Sequence, residues 1–145
     1  MCSVVPESTF QFASPELAYF EFVPNKDFNA PNGKEVNLQI KMGVAVKKSN
    51  LSPEATVDLT VKIGEKGGNS PFYILAVERA DFRWEKELDD ARVKSLLDQN
   101  APSLLLSYLR PIIVQITEAS AYNVCNIPFV NFANFKETRT ETREE

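Results

Sequence analysis

The sequence predicts an α+β fold, in which a four-stranded antiparallel sheet is followed by a short and a long helix packed on one face. Three observations predict it. Residues 36–46 alternate between apolar and polar side chains, which is the pattern of a half-buried strand. Strand-like segments flank this one, and all of them precede the segments with helical periodicity. Strands first and helices afterwards are typical of a sheet whose helices gather on one face.

Aromatic residues mark the first predicted strand. They are Phe10, Phe12, Tyr19, Phe20 and Phe22. The strand is expected to be broken near Ser14 and Pro15, and the segment 24–33, rich in Pro and Asn, is predicted to be a loop.

The next three strands follow from alternation and from turn-forming residues. One face of the second strand carries Val36, Leu38, Ile40, Met42, Val44 and Val46, and one face of the third carries Val57, Leu59, Val61 and Ile63. Ser, Asn and Pro at 47–54 separate these two strands, and the glycine-rich segment 64–70 precedes the fourth. Residues 71–82 are apolar on both faces, so this strand is expected to be covered twice, by its own helix or by a second subunit.

Helical periodicity begins after the fourth strand. A short amphipathic helix is predicted over 86–98 and a long one over 104–119, with a tight break between them at Asn100 and Pro102. The apolar stripe of the long helix is wider than one sheet face covers, which predicts burial on two sides. Pro111 lies inside this helix and predicts a kink, or a cost of about 3 kcal/mol.

The charged sequence KETRTETREE ends the chain. It contains no apolar residue, so 136–145 is predicted to be a flexible, solvated tail after a single domain, 1–135.

Composition excludes several classes of function. The net charge of −4 and the scattered basic residues argue against a nucleic-acid partner. Without histidine, and without a nucleotide-binding or metal-binding motif, the sequence predicts no enzyme, no metal and no cofactor. Apolar runs shorter than the ~20 residues that span a bilayer, and the absence of a signal peptide, predict a cytoplasmic protein that does not insert into a membrane. Cys2 and Cys125 are interpreted as free thiols.

The segment 121–135 has the strongest indication of binding. Large apolar side chains alternate there with Asn and Pro, which prevent a regular helix or strand. Such a segment either lines a groove or wraps the core as a C-terminal arm, and both interpretations remain open at this point.

Several residues together resemble SecB, the bacterial protein-export chaperone. They are Pro102, Tyr108, Arg110, Asn126, the triplet Val130-Asn131-Phe132 and the strand VNLQIKM at 36–42. The likeness extends from about Phe10 to Phe135. It implies an ATP-independent chaperone that holds unfolded polypeptides in a hydrophobic groove. It also implies a homo-oligomer, a dimer or tetramer, assembled through the first strand and the long helix.

The resemblance assigns roles to particular positions. It assigns client binding to Val36, Leu38, Ile40, Tyr108, Tyr122 and Ile127. Glu21 matches one of the acidic residues through which the family docks on the SecA motor, but Leu75 stands where another acidic residue is expected. This departure weakens SecA as a partner, and a toxin-antitoxin chaperone that kept the groove and changed its partner fits as well. A small apolar ligand held between sheet and helix, or an oligomeric scaffold, are the other two hypotheses.

Overall fold

The computed structural model describes residues 8–28, 38–67, 70–120, 125–134 and 139–144. The strands are β1 (Phe10–Pro24), β2 (Ile40–Ser49), β3 (Glu54–Ile63), β4 (Phe72–Trp84) and β5 (Arg139–Glu144). The helices are α1 (Asp90–Ser95) and α2 (Ala101–Ala119), joined by a π-helical turn (Leu96–Asn100), and a 3₁₀ turn (Phe132–Asn134) lies in the C-terminal segment.

The strands form one sheet in the order β1-β4-β3-β2-β5. The first four pair antiparallel, with Ile40 opposite Ile63 and Ile63 in turn opposite Ile74. Helix α2 packs against β3 and β4. The predicted α+β architecture, with strands first and helices on one face, is confirmed.

The predicted faces of β2 and β3 are confirmed where the structure describes them. The buried set on these strands is Met42, Val44, Val46, Val57, Leu59, Val61 and Ile63, all at most 7% exposed. We call the side of the sheet that carries them the helix face, and the other side the open face. On β4, Phe72, Ile74, Ala76, Ala80 and Phe82 share the helix face.

The sequence predicts a break near Ser14 and Pro15, but β1 is continuous over Phe10–Pro24 and only its pairing is irregular there. The pairing register with β4 shifts between Ala13 and Glu16, and again between Leu17 and Tyr19. Ser14 adopts a φ of 55°, in the left-handed region that non-glycine residues rarely occupy. Pro15 has no N–H to donate to a ladder, and an edge strand such as β1 tolerates this loss.

The predicted break between the helices is wrong. Asn100 is helical, with φ −75° and ψ −41°, and the N–H of Ala101 donates to the carbonyl of Leu96, five residues earlier. This π-type bond admits one extra residue into the turn, so the chain stays helical into Pro102. Helix α2 also continues through Pro111, which is exposed.

The prediction that the long helix is buried on two sides is confirmed. Its first side packs on the sheet. Along its second side runs the C-terminal arm, which we define as residues 125–134. The backbone N–H of Cys125 donates to Thr117 Oγ1 (3.0 Å), and Arg110 Nη2 donates to the carbonyl of Pro128 (2.6 Å). The arm therefore runs back along α2 towards its start, where its 3₁₀ turn contacts the π-helical turn.

The end of the chain differs from the predicted solvated tail. Residues 139–144 form β5, which pairs parallel to β2 from Val44 opposite Arg139 to Ser49 opposite Glu144. Strand pairing uses backbone groups, so a segment without apolar side chains can still add to an unpaired sheet edge. The amino-acid composition of a segment therefore does not reveal whether it pairs with a sheet edge.

Candidate client-binding surfaces

An apolar strip on β1 lies partly exposed on the helix face. Register places its members beside buried residues of β4: Phe12 opposite Phe82, Phe20 opposite Ala76 and Phe22 opposite Ile74. We define the β1 strip as Phe10, Phe12, Leu17, Phe20 and Phe22. Phe12 and Leu17 remain 41% and 42% exposed, while the other three are half-buried against the core. This surface is the β1 edge of the sheet, beyond the strands that α2 covers.

Aromatic contacts join Phe10 and Phe22 of the strip to buried rings of β4. The rings of Phe10 and Phe82 lie 5.5 Å apart at 22°, and those of Phe22 and Phe72 lie 5.6 Å apart. Such pairs contribute about 0.5–1.5 kcal/mol beyond area burial. The sequence identified these aromatic residues as a strand and assigned them no site. Their even spacing on either side of the irregularity was the signal that they share one face.

A second apolar surface lies on the flank of α2 opposite the arm. Successive helical residues rotate by about 100°, so Leu104, Tyr108 and Ile112 fall on one flank while Arg110 and Thr117 fall on the other. Leu104 and Ile112 are half-buried, and Tyr108 is 37% exposed. We call Leu104, Tyr108 and Ile112 the Tyr108 flank.

The arm buries some of its apolar residues and exposes another. Ile127 and Phe132 are 6% and 2% exposed and belong to the core, whereas Phe129 is 93% exposed. The guanidinium carbon of Arg110 lies 4.7 Å from the centroid of the Phe129 ring, within cation–π range. Over 125–134, therefore, the segment wraps the core as an arm and still presents one aromatic ring to solvent.

The client-binding residues predicted from the resemblance occupy different environments. Tyr108 is accessible, and Leu38 and Ile40 are half-buried against the core near the start of β2. Ile127 is buried in this chain, so its side chain is closed to a client. Val36 and Tyr122 lie outside the described residues.

Glu21, the residue predicted to dock SecA, lies on the open face in a local cluster. Its Oε2 accepts a hydrogen bond from the Tyr19 hydroxyl (2.9 Å), and its Oε1 pairs with Lys66 Nζ (2.9 Å). Lys66 and then Tyr19 hold the pKa of this carboxyl below its usual value. Leu75 is the cross-strand neighbour of Glu21, so an apolar side chain adjoins the acidic one.

The open face also carries a broad cleft of about 820 Å³ whose lining mixes charged, polar and apolar residues. Arg79 donates two hydrogen bonds to Asp58, at 2.7 and 2.8 Å, and Thr56 donates one to Asp81 at 2.7 Å. Both contacts join β3 to β4. Two charges of this cleft, Arg79 and Asp58, are therefore paired with each other, and Asp81 is held by the Thr56 hydroxyl.

Glu78 is a buried carboxyl on the helix face. It is 3% exposed, lies opposite Leu59 and Leu17 in the neighbouring strands, and its Oε1 has no hydrogen-bond partner among the described residues. Burial raises the pKa of this carboxyl above its usual value, and the negative charge of Glu16 raises it further. The native state therefore holds a proton on Glu78 more readily than the unfolded chain does.

Replacing Glu78 by Gln is expected to raise the free energy of unfolding by about 1 kcal/mol at pH 7, because an ionised group in an apolar site is costly. Because the native pKa is raised, ionised Glu78 destabilises the native state at pH values above that pKa. This destabilisation disappears as the pH falls towards about 4.3, the pKa of a glutamate in the unfolded chain. The stability gained by Glu78→Gln, measured by urea unfolding, should therefore be smaller at pH 4.5 than at pH 7.

Glu54→Gln is the matched control, because it removes the same charge from an exposed strand position. Its effect should stay within about 0.5 kcal/mol at both pH values. A Glu78→Gln protein less stable than the wild type at pH 7 would show that the carboxylate has a partner in solution.

The described residues contain no group of three or more His, Cys, Asp or Glu placed to hold a metal ion. Cys125 is a half-buried free thiol whose pKa is raised by burial, which disfavours the reactive thiolate. Within the same part of the chain, no helix is long and apolar enough to cross a membrane.

Comparison with known proteins agrees with this architecture. The family model described as preprotein translocase subunit SecB matches residues 20–143. No curated protein matches the chain by sequence.

Among the solved structures similar to this chain are two with 11% identity. One is the Mycobacterium tuberculosis SecB-like chaperone Rv1957 in complex with a ChAD peptide from the Rv1956 HigA1 antitoxin. It has a TM-score of 0.65 and 11% identity, over 84% of this chain and 88% of that chain. The other, a protein of unknown function from Streptococcus agalactiae, has a TM-score of 0.40 and 11% identity, over 83% and 97%. The first similarity supports the fold, and the second is too low to support an inference.

Proposed function

Because this chain belongs to the SecB family, we propose that it is an ATP-independent holdase that binds unfolded or extended polypeptide through exposed apolar surface. The observation that carries the proposal is the exposure of large apolar side chains in the described part of the chain. They are Phe12, Leu17, Tyr19, Val23, Leu51, Tyr108 and Phe129. Each forgoes part of the roughly 1.5–3 kcal/mol that full burial provides, which a stable protein tolerates where a partner covers the residue.

We assign client contact to the Tyr108 flank, to Ile40 at the start of β2 and to Leu38 just before it. These positions present accessible or half-buried apolar atoms, which suits burial of a client with little reading of its sequence. Ile127 takes a structural role in this proposal, because it anchors the arm along α2. The β1 strip is assigned to contact between subunits, consistent with the oligomer that the family resemblance implies.

The surroundings of Glu21 favour a partner other than SecA. Glu21 is engaged by Tyr19 and Lys66, and Leu75 adds an apolar side chain beside it. The similar SecB-like chaperone Rv1957 binds a peptide from an antitoxin. A dedicated client, such as an antitoxin segment, is therefore our second candidate, while general export remains the first expectation from the family.

A closed site for a small apolar ligand has less support. The space between the sheet and α2 is filled by side chains at most 2% exposed, including Leu59, Leu105 and Leu109. The large cleft lies on the open face and is lined mainly by polar and charged residues. Pockets for apolar ligands are lined predominantly by apolar and aromatic side chains.

The test is light scattering from a chemically denatured client diluted into buffer without nucleotide, with and without this protein. Stoichiometric protein should suppress the scattering. Tyr108→Asp should raise the concentration needed for half-suppression about tenfold, since the loss of ~1.4 kcal/mol of binding corresponds to that factor. The variant should remain folded, because Tyr108 is exposed.

Ser107→Asp is the matched control, because it places the same charge on the neighbouring exposed residue, about 100° around the helix. It should suppress scattering as the wild type does. Normal suppression by Tyr108→Asp would move the client surface elsewhere, and no suppression by the wild type would contradict the holdase proposal.

A further inference from the structure

Strand β5 completes the sheet with a polar segment. Its sequence is RTETRE, and it pairs with residues Val44–Ser49 of β2 in parallel register. Because this sequence has no apolar side chain, its pairing depends on backbone hydrogen bonds rather than on apolar burial.

Such a strand holds the edge weakly. The net stabilisation from one backbone hydrogen bond is no larger than the entropy cost of ordering the backbone of one residue. Parallel pairing is also slightly less stable per residue than antiparallel pairing. These contributions nearly cancel, so β5 is expected to leave and rejoin the edge readily.

Strand β5 pairs with only part of β2, so a competing strand can begin to pair with the remainder. Among the described residues, β5 pairs with Val44–Ser49 and leaves residues 40–43, the first part of β2, without a partner on that side. Ile40 lies there, and Leu38 lies just before it, with both side chains half-buried against the core. An extended polypeptide can pair with this stretch first and then displace β5 residue by residue.

The chemistry of β2 indicates which segments would fit. Its helix face is apolar, with Met42 and Val44 buried, while Gly43 and Ala45 leave little side-chain bulk on the open face. The strand sequence IKMGVAVKKS contains three lysines and no acidic residue. An incoming strand with alternating apolar residues and with acidic residues at its polar positions would therefore be complementary in both burial and charge.

We propose that the outer edge of β2 is a strand-addition site for an extended segment of an unfolded client polypeptide, and that β5 occupies this edge until the client displaces it. The proposal rests on the chaperone function proposed above. It adds the site at which the client backbone is held and a self-complementing strand that lowers the apparent affinity.

The test places proline in β5 of the full chain. Thr140→Pro/Glu141→Pro removes two successive backbone donors, so it disrupts the ladder whichever of the two N–H groups points at β2. Thr140→Ala/Glu141→Ala is the matched control, because it removes the same side chains and the same charge but keeps both N–H groups. The readouts are amide hydrogen exchange of Val44–Ser49 and the Kd for a fluorescently labelled, denatured client.

In the free protein, the proline variant should exchange these β2 amides faster than the alanine variant. If β5 occupies the edge about nine-tenths of the time, the proline variant should bind the client about tenfold more tightly. Client binding should then restore the protection of the same amides.

Equal client affinity of the two variants would overturn the proposal, as would client binding that leaves the β2 amides unprotected. In both cases the chaperone function itself would stand, because the client is still bound. Failure of the wild type and of both variants to bind any client would instead overturn the chaperone function, and this proposal with it.

Discussion

Replacing Ile127 by Asp is expected to lower the free energy of unfolding by about 3 kcal/mol or more. Ile127 is 6% exposed and belongs to the core, so the substitution removes apolar burial and places an unpaired charge in an apolar site. The arm is held to α2 by the Thr117–Cys125 and Arg110–Pro128 hydrogen bonds, which lie on either side of Ile127 along the arm. Urea unfolding followed by circular dichroism measures the loss.

Asn126→Asp is the matched control, since Asn126 is the exposed neighbour and receives the same charge. Its effect should stay within about 0.5 kcal/mol. An Ile127→Asp protein as stable as the control would mean that the arm leaves α2 in solution. Ile127 would then become available to a client, as the resemblance first implied.

Replacing Gly64 by Ala is expected to lower the free energy of unfolding by about 3 kcal/mol, from backbone strain and steric overlap together. Gly64 ends β3 with a φ of 71°, a conformation unfavourable for residues with a Cβ. An added Cβ would also fall far inside van der Waals contact with the Phe72 carbonyl oxygen and lie 3.1 Å from Ser70 Cβ. The Gly64 N–H donates to the Gln39 carbonyl (3.0 Å), so a shift of this turn also disturbs the start of β2.

Gly67→Ala distinguishes the steric contribution to the cost at Gly64 from the contribution of backbone strain. Its φ is 64°, close to that of Gly64, but an added Cβ would meet nothing within 4 Å. Gly67→Ala should therefore cost only the backbone strain, about 1 kcal/mol. Thermal or urea unfolding of the two variants tests the difference. Equal costs would show that the β3–β4 turn relaxes around the new methyl group.

The sequence predicted the structural role of Gly64 more closely than that of Ile127. The glycine-rich segment 64–70 was predicted to be a turn, and its described residues 64–67 include one, but which glycine is indispensable depends on the neighbouring Phe72 carbonyl. Ile127 was assigned to client binding by resemblance to a family. Its burial follows from the path of the arm back along α2, which depends on long-range contacts such as that between Thr117 and Cys125.

For the helices, too, one prediction from the sequence was confirmed and another was wrong. The wide apolar stripe of the long helix predicted burial on two sides, and the sheet and the arm provide those two sides. The break at Asn100 and Pro102 was a local inference from capping preferences. It was wrong because a π-type turn accommodates the proline within a continuous helix, and one extra residue per turn leaves no clear signal in apolar periodicity.

The sequence alone predicted the α+β class, the buried faces of β2 and β3, a disturbance of β1 near Pro15 and the likeness to SecB. These features follow from local alternation, from the missing N–H of proline and from residue patterns, all of which are properties of neighbouring residues. Only the tertiary structure revealed the burial of Ile127 and of the Glu78 carboxyl and the pairing of β5 with β2. Each depends on which distant backbone or side chain lies alongside, and residue type does not encode that in any local period.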